Sequence, residues 1–538
     1  MKNSKGYRRE LLWMLVGAAL TALTLILPWI GLLEWVTMIP LCVGLYRLCE
    51  RDDFSLRRAY GYGFLTVYVF YFFLYNWFVS LYPLDFAGLD NASSAIVVVA
   101  GWFGLPILQA VVGGFVFLLY RSFSKTEISQ KYPLMRPFVL AALWVGFEWC
   151  GTLTFAGIPW GRLALGQIKL LPMLQSASLL GSYFVTFLLV AVNGILAYMI
   201  LNRKKTLVCA VLAGSIFFSN LLFGSVRMLL PDGEERTVRV AVIQGNVDSH
   251  DKWGSEASLK TKQAYGDMTR RAAAEGAELI IWPETAFPSD ISYNCWQRRF
   301  VSELAVECNV TIIVGAFYYQ RGETYDDGKN YNALYLVEPD GTFHENFYAK
   351  RRLVPFGEYM PMREFFSTLI PPLEEIAMLD RDLAAGEDSG LFDTEYGKIG
   401  SLICFDSIYE TLTIDSARDG ANLIVLATND SWFYDSAGVY QHQAQAQLRA
   451  IESGRAIARA ANTGVSTIIT PEGELLGWVD PLVDGYAVAD IPIEESKTLY
   501  TVIGNLFVYL CIAFGIGILP ADLLIKEIRK RKKTENEA

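Results

Sequence analysis

The sequence predicts a two-part chain: a multi-pass α-helical membrane domain of eight transmembrane helices, joined to a layered α/β domain. Three observations predict it. Long uncharged runs gather before about residue 225, another follows about residue 503, and the stretch between alternates short β-branched runs with helical patterns. Hydrophobic residues make up 53% of the 538, too many for a chain of soluble domains alone.

The membrane elements come first. A helix needs about 20 apolar residues to cross the hydrocarbon core. Candidate spans fall at roughly 11–29, 31–48, 60–81, 95–120, 137–155, 176–201 and 206–225, with an eighth at 505–525. The first is read as a retained span, because a second follows almost at once and no small-residue cleavage site intervenes. The implied domains are 1–225, seven membrane helices; 226–502, a catalytic domain; 503–525, the eighth helix; and 526–538, a basic tail.

Basic residues in the short loops set the expected orientation. Lys2, Lys5, Arg8 and Arg9 precede the first span, and Arg47, Arg51, Arg57 and Arg58 separate spans two and three. Arg121, Lys125, Lys131 and Arg136 separate spans four and five, while Arg203, Lys204 and Lys205 separate spans six and seven. The tail from Lys526 to Lys533 is basic as well. The alternate loops carry almost none, with Arg162 and Lys169 as exceptions. Both termini are therefore expected in the cytoplasm, and seven crossings would put 226–502 outside it.

The α/β elements follow in order. Strands are expected at Thr237–Gln244, Glu278–Trp282, Val310–Tyr319, Tyr331–Val337, Lys398–Cys404, Asn422–Thr428 and Ser466–Thr470. Helices are expected at about 256–275, 294–308, 409–419 and 440–461. The last is alanine-rich, with Arg449, Glu452, Arg455 and Arg459 at three- and four-residue spacing, and reads as one covering helix with intrahelical pairs. Such alternation packs helices over sheets.

Composition removes some function classes. A net charge of −10 without a basic stripe argues against nucleic acid. The three histidines, His250, His344 and His442, lack metal-ligand spacing, so neither metal nor other cofactor is expected. In the polar stretch only Cys295, Cys308 and Cys404 are thiols. On one helix the first two stand roughly 20 Å apart, too far for a disulfide. Lone thiols in an oxidising space are unusual, which draws attention to chemistry.

Three strand ends carry that chemistry: Glu278–Glu284, closing on Trp282-Pro283-Glu284; Tyr348-Ala349-Lys350, followed by Leu353-Val-Pro-Phe-Gly-Glu358; and Ile399–Asp406, closing on Cys404. Singly, Glu284 reads as readily as a loop carboxylate, Lys350 as one cation of a basic run and Cys404 as a small buried hydrophobe. Together, in this order, they resemble the Glu-Lys-Cys triad of the nitrilase superfamily of carbon–nitrogen hydrolases. The fuller resemblance is to the apolipoprotein N-acyltransferase family. It covers the eight-span layout and the runs Gln244-Gly-Asn, Trp282-Pro-Glu284, Leu353–Glu358 and Asn429-Asp-Ser-Trp-Phe433.

The resemblance implies a nitrilase-like αββα sandwich, with Glu284 as general base, Lys350 as oxyanion stabiliser and Cys404 as nucleophile. It implies supporting roles for Glu358, Asp406 and Phe405, and a lipid or lid contact for Trp253. After the nucleophile this chain has Phe405 and Asp406 where the family has Tyr and Glu. The implied reaction moves an acyl chain from a phospholipid to the α-amine of an apolipoprotein's diacylglyceryl-modified N-terminal cysteine, through a thioacyl enzyme. The implied location is the bacterial inner membrane. The proline-bounded segment 360–373 would expose Phe365, Phe366, Leu369 and Ile370, and reads either as an ordinary packed helix or as a lid dipping into lipid. Two rivals remain at this stage: a membrane-tethered amidase with water as acceptor, and a transporter or receptor. Against the latter, intramembrane charges that would mark an ion or solute path are few, chiefly Glu148 and Glu34.

Overall fold

The structure, a computed structural model, describes residues 2–85, 88–153, 157–230, 236–247, 255–322, 328–375 and 382–537. The chain divides into two compact units. One is Met1–Asn76, Trp102–Leu230 and Ile503–Ala538; the other is Trp77–Gly101 and Pro231–Val502.

Among the described residues, seven helices are long and apolar enough to cross a membrane: Gly6–Ile26, Pro28–Glu50, Leu56–Leu81, Asn91–Ser124, Ser182–Leu201, Arg203–Leu229 and Leu506–Arg529. The expected count of eight turns on the fifth span. There the structure has the 15-residue helix Arg136–Cys150. At 1.5 Å per residue it is roughly 22 Å long, short of the ~30 Å hydrocarbon thickness. The two acids that could have marked a solute path are buried and bonded within the first unit. Glu148 accepts the Leu163 N–H at 3.0 Å and the Thr186 hydroxyl at 2.8 Å, and Glu34 accepts the Gln167 amide at 2.7 Å.

The second unit holds thirteen described strands: β1 Thr237–Gln244, β2 Leu279–Ile281, β3 Phe287–Asp290, β4 Thr311–Gln320, β5 Lys329–Val337, β6 Phe343–Ala349, β7 Phe392–Thr394, β8 Gly397–Ile403, β9 Leu423–Thr428, β10 Ile457–Ala461, β11 Ser466–Ile469, β12 Leu475–Val479 and β13 Gly485–Pro492. They make two mixed sheets, β13-β1-β2-β4-β5-β6 with β3 beside β4, and β12-β11-β10-β9-β8-β7. The parallel pairs are β1/β2, β2/β4, β3/β4, β8/β9 and β9/β10.

Period-two alternation assigns each face. Val240, Val242, Ile281 and Ile313 meet Ile399, Ile403, Val425 and Ala458 in a core between the sheets. The intervening Ala241, Ile243, Ile280 and Ile312 pack outward on Tyr265, Met268, Val301 and Leu304 of the helices Ser255–Ala274 and Trp296–Cys308. Helices Glu410–Arg418 and Ala437–Ser453 pack on the second sheet, completing an αββα sandwich. Strands covered on both faces need not alternate in hydrophobicity, which is why β9 reads as a continuous apolar run.

One expected element is corrected. The segment 440–461 is not one helix: it ends at Ser453, Gly454 caps it in the left-handed region (φ 64°), and Ile457–Ala461 is strand β10, parallel to β9. Alanine content and three-to-four spacing imitate a helix here, but the β9 edge decides. Arg449 and Glu452 do pair on the helix at 2.8 Å, whereas Arg459 lies on the strand, fully buried.

Candidate active site

Parallel strands β2 and β8 and antiparallel strand β6 each run out into a loop, and the three loops carry Glu284, Cys404 and Lys350. Trp282 is buried after β2, stacked on Tyr265 at 5.0 Å, so Pro283 and Glu284 leave the core in a fixed direction. Lys350 follows β6, its N–H bonded to the Asn332 carbonyl of β5 at 2.8 Å. Cys404 follows β8 and opens a short 3-10 turn, Cys404–Ile408. Its φ of 48° puts a non-glycine residue in the left-handed region, where strain of about 1–3 kcal/mol is held by surrounding contacts.

Lys350 is 1% exposed and its Nζ lies between two carboxylates, 3.1 Å from Glu284 Oε1 and 2.8 Å from Glu358 Oε1. Burial alone would lower its pKa; Glu284 and Glu358 outweigh that and hold the ammonium well above its ordinary range. Glu358 is itself anchored, accepting the Val354 N–H through Oε2 at 2.8 Å. Burial pushes the Cys404 thiol well up, the Glu284 charge adds to the shift, and Lys350 opposes it. The thiol is thus neutral at physiological pH and sits within the field of both other groups.

Asp406 is fully buried. Its Oδ1 accepts the Arg352 N–H at 2.7 Å; its Oδ2 accepts the Tyr348 hydroxyl at 2.8 Å and the Ile403 N–H at 3.0 Å. Burial pushes its carboxyl up to about 6, against the opposing pull of Lys350. Phe405 is 8% exposed and packs edge-on against Tyr409 at 5.6 Å. Phe365 and Leu369 stand exposed on the seven-residue helix Arg363–Leu369, at 55% and 63%. Phe366 and Ile370 differ from expectation: they are half-buried and join Phe356, Met360, Leu84, Leu89 and Val98 in a small core. One side of the segment 360–373 thus packs into the unit and the other stands exposed. Trp253 lies outside the described residues.

Four residues at the site escaped sequence reasoning. Asn332, 3% exposed on β5, donates to Glu284 Oε1 at 2.6 Å and reaches Glu358 Oε1 at 3.5 Å, so one amide touches both carboxylates. Its only signal was a polar residue among the apolar positions of a strand. Asp430, His442 and Arg459 form a buried chain on the side of Cys404: Arg459 pairs with Asp430 at 2.7 Å, and Asp430 with His442 Nδ1 at 2.8 Å. Although spacing along the chain gave no metal pattern, ligand atoms of Cys404, Asp430 and His442 converge within 4.8 Å of one another. The Gln244 of the first motif has a structural place, accepting the Ser466 hydroxyl of the opposite sheet at 2.7 Å.

Comparison with known proteins adds a lineage to this geometry. Residues 239–500 match the carbon–nitrogen hydrolase family, and residues 12–195 match the apolipoprotein N-acyltransferase N-terminal domain. An apolipoprotein N-acyltransferase of Geobacter metallireducens is 30% identical over 523 residues, 96% of this chain and 95% of that protein. One of Gloeobacter violaceus is 31% identical over 513 residues, 92% of this chain and 91% of that protein. Among solved structures, Saccharomyces cerevisiae Nit3, a nitrilase-superfamily member, is 20% identical. It matches 50% of this chain and 96% of its own, with a TM-score of 0.38.

Proposed function

The chain belongs to the apolipoprotein N-acyltransferase family, and on that premise we propose a two-step acyl transfer through Cys404, with Glu284 as base and Lys350 as electrostatic stabiliser. The observation that carries the proposal is the buried Lys350 ammonium, held between Glu284 and Glu358 beside the thiol. A cation fixed by two carboxylates needs no reorganisation when negative charge develops on a neighbouring carbonyl oxygen.

In the first step the Cys404 sulfur attacks the ester carbonyl of a phospholipid while its proton passes to Glu284. The carbonyl–oxygen bond to the glycerol breaks, and the departing alkoxide takes that proton, leaving a lysophospholipid and a thioester on Cys404. In the second step the α-amine of a diacylglyceryl-modified N-terminal cysteine attacks the thioester. Its proton passes to Glu284 and then to the departing Cys404 sulfur, giving an amide and restoring the thiol. Glu358 and Asn332 keep Lys350 and Glu284 in register, and Asp406 fixes the two strand ends.

The multiple apolar helices and the relatives make this a bacterial membrane protein. We read residues 1–225 as membrane domain, 226–502 as an extracytoplasmic catalytic domain, 503–525 as a final span and 526–538 as a cytoplasmic tail. This arrangement requires Arg136–Cys150 to cross, with local bilayer thinning or flanking turns making up its length. Exposed Phe365 and Leu369 suit a segment that rests in lipid near the acyl donor.

The test is to supply purified protein with phospholipid vesicles and a diacylglyceryl-cysteinyl peptide. An amide-linked acyl chain on the peptide, with lysophospholipid in equal amount, is expected. Free fatty acid without peptide acylation would instead identify a hydrolase.

A further inference from the structure

The left-handed turn at Cys404 is clamped from two sides. On the strand side, Asp406 accepts the Ile403 N–H. On the other, the Cys404 carbonyl oxygen receives the Ser407 hydroxyl at 2.8 Å, with His442 Nε2 at 3.2 Å from that oxygen and 3.1 Å from Ser407 Oγ. His442 lies on the helix Ala437–Ser453, remote in sequence, and is 2% exposed. Its orientation is fixed from behind. Asp430 is ion-paired with Arg459 and so only accepts; the Nδ1 facing it at 2.8 Å carries the hydrogen, which leaves Nε2 an acceptor towards the Ser407 hydroxyl. Thr428 also donates to Asp430, at 3.0 Å, and Arg459 donates to the Val465 carbonyl.

We propose that His442, oriented by the Asp430–Arg459 pair, is a positioning residue that holds the Cys404 turn, and with it the thiol, in attack geometry. The proposal rests on Cys404 being the nucleophile. A buried Arg–Asp–His chain is an expensive way to fill a core, since apolar side chains of similar volume pack as well without desolvating charge. Here its far end meets the carbonyl of the one strained residue that carries the thiol. Remove the imidazole, and the Ser407 hydroxyl that bonds the Cys404 carbonyl loses its second acceptor and its fixed setting, so the peptide after Cys404 can rotate, swinging Sγ away from Glu284 and Lys350. A metal-ligand role for the same cluster is disfavoured by charge: the Arg459 guanidinium, 2.7 Å from Asp430, already stands where a cation would be compensated.

The experiment compares full-length wild type with His442→Ala and His442→Gln, the latter keeping an amide near the Nε2 position. Two rates are read by mass spectrometry of the Cys404 peptide: thioester formation from phospholipid vesicles, and alkylation by iodoacetamide. Displacing reacting atoms by about 1 Å costs roughly 100-fold, so His442→Ala should lose about that in kcat with KM within about twofold. His442→Gln should recover about tenfold of it, and alkylation should follow the same order. The proposal is overturned if the folded fraction of His442→Ala reacts at the wild-type rate, or if Gln is no better than Ala. Stoichiometric zinc bound by wild type and lost in His442→Ala would also overturn it, assigning His442 as a ligand instead. Absence of any wild-type thioester would defeat the nucleophile reading, while the alkylation order would still decide the role of His442.

Discussion

Asp406 accepts the Arg352 N–H at 2.7 Å, so the carboxylate two residues after Cys404 holds the chain two residues after Lys350. With its bonds to Tyr348 and Ile403, this one side chain ties the ends of β6 and β8 together. The two strand ends approach closely enough for the oxygens of one short Asp side chain to reach both.

Asp406→Asn should therefore slow thioester formation, since an amide nitrogen cannot accept from the N–H and O–H groups that face it. Its stability cost depends on pH. The folded carboxyl titrates at about 6 against an ordinary value of 3.8, so the folded state holds the extra proton between those values. Stability from this group is full below about pH 4 and is lost as pH rises through about 6, by about 3 kcal/mol. Thermal melts should show the gap between wild type and Asp406→Asn widest near pH 4 and narrowing towards pH 7. A gap that widens towards pH 7 would contradict this.

Glu358→Gln keeps a side chain of the same size but removes one of the two charges holding Lys350. Thioester formation should fall about tenfold or more, with the fold intact by circular dichroism. An unchanged rate would leave Glu358 a purely structural anchor of the Val354 loop.

Phe365→Ser/Leu369→Ser alters only exposed side chains and should leave the melting temperature within a few degrees. Transfer from vesicles should slow severalfold, while transfer from a short-chain, micellar donor should not. Equal rates with both donors would remove the lipid-resting role. Phe366 is the wrong residue for this experiment, because it packs edge-on against Phe356 at 4.9 Å.

Orientation depends on the helix Arg136–Cys150. Tyr132 and Leu153 flank it and are exposed, at 51% and 55%. A membrane-impermeant maleimide should label Leu153→Cys in intact cells and Tyr132→Cys only after permeabilisation. Labelling of both from one side would place the helix within one leaflet and reverse the expected side of the catalytic domain.

Much of this was legible along the chain because strands declare themselves locally. Expected and observed bounds of β1 coincide at Thr237–Gln244, and Glu284, Lys350 and Cys404 each follow a strand. What was illegible depends on partners far away in sequence. Arg459 belongs to a strand only because β9 lies beside it, and its Asp430 partner is 29 residues earlier. Asn332 and His442 look like ordinary polar residues until folding brings Glu284 and Cys404 against them, across 48 and 38 residues. The short helix at Arg136–Cys150 was overextended by composition, because the apolar run continues past the backbone turn that ends it.

The central claim is that Cys404 carries the acyl chain with Glu284 as its base. The most direct measurement is mass spectrometry of the Cys404 peptide after wild type and Glu284→Gln are mixed with phospholipid alone. Wild type should show the acyl mass as a hydroxylamine-sensitive thioester, and Glu284→Gln should form it about 10²–10⁴-fold more slowly. An acyl group on another residue, or equal rates in the two proteins, would contradict the account.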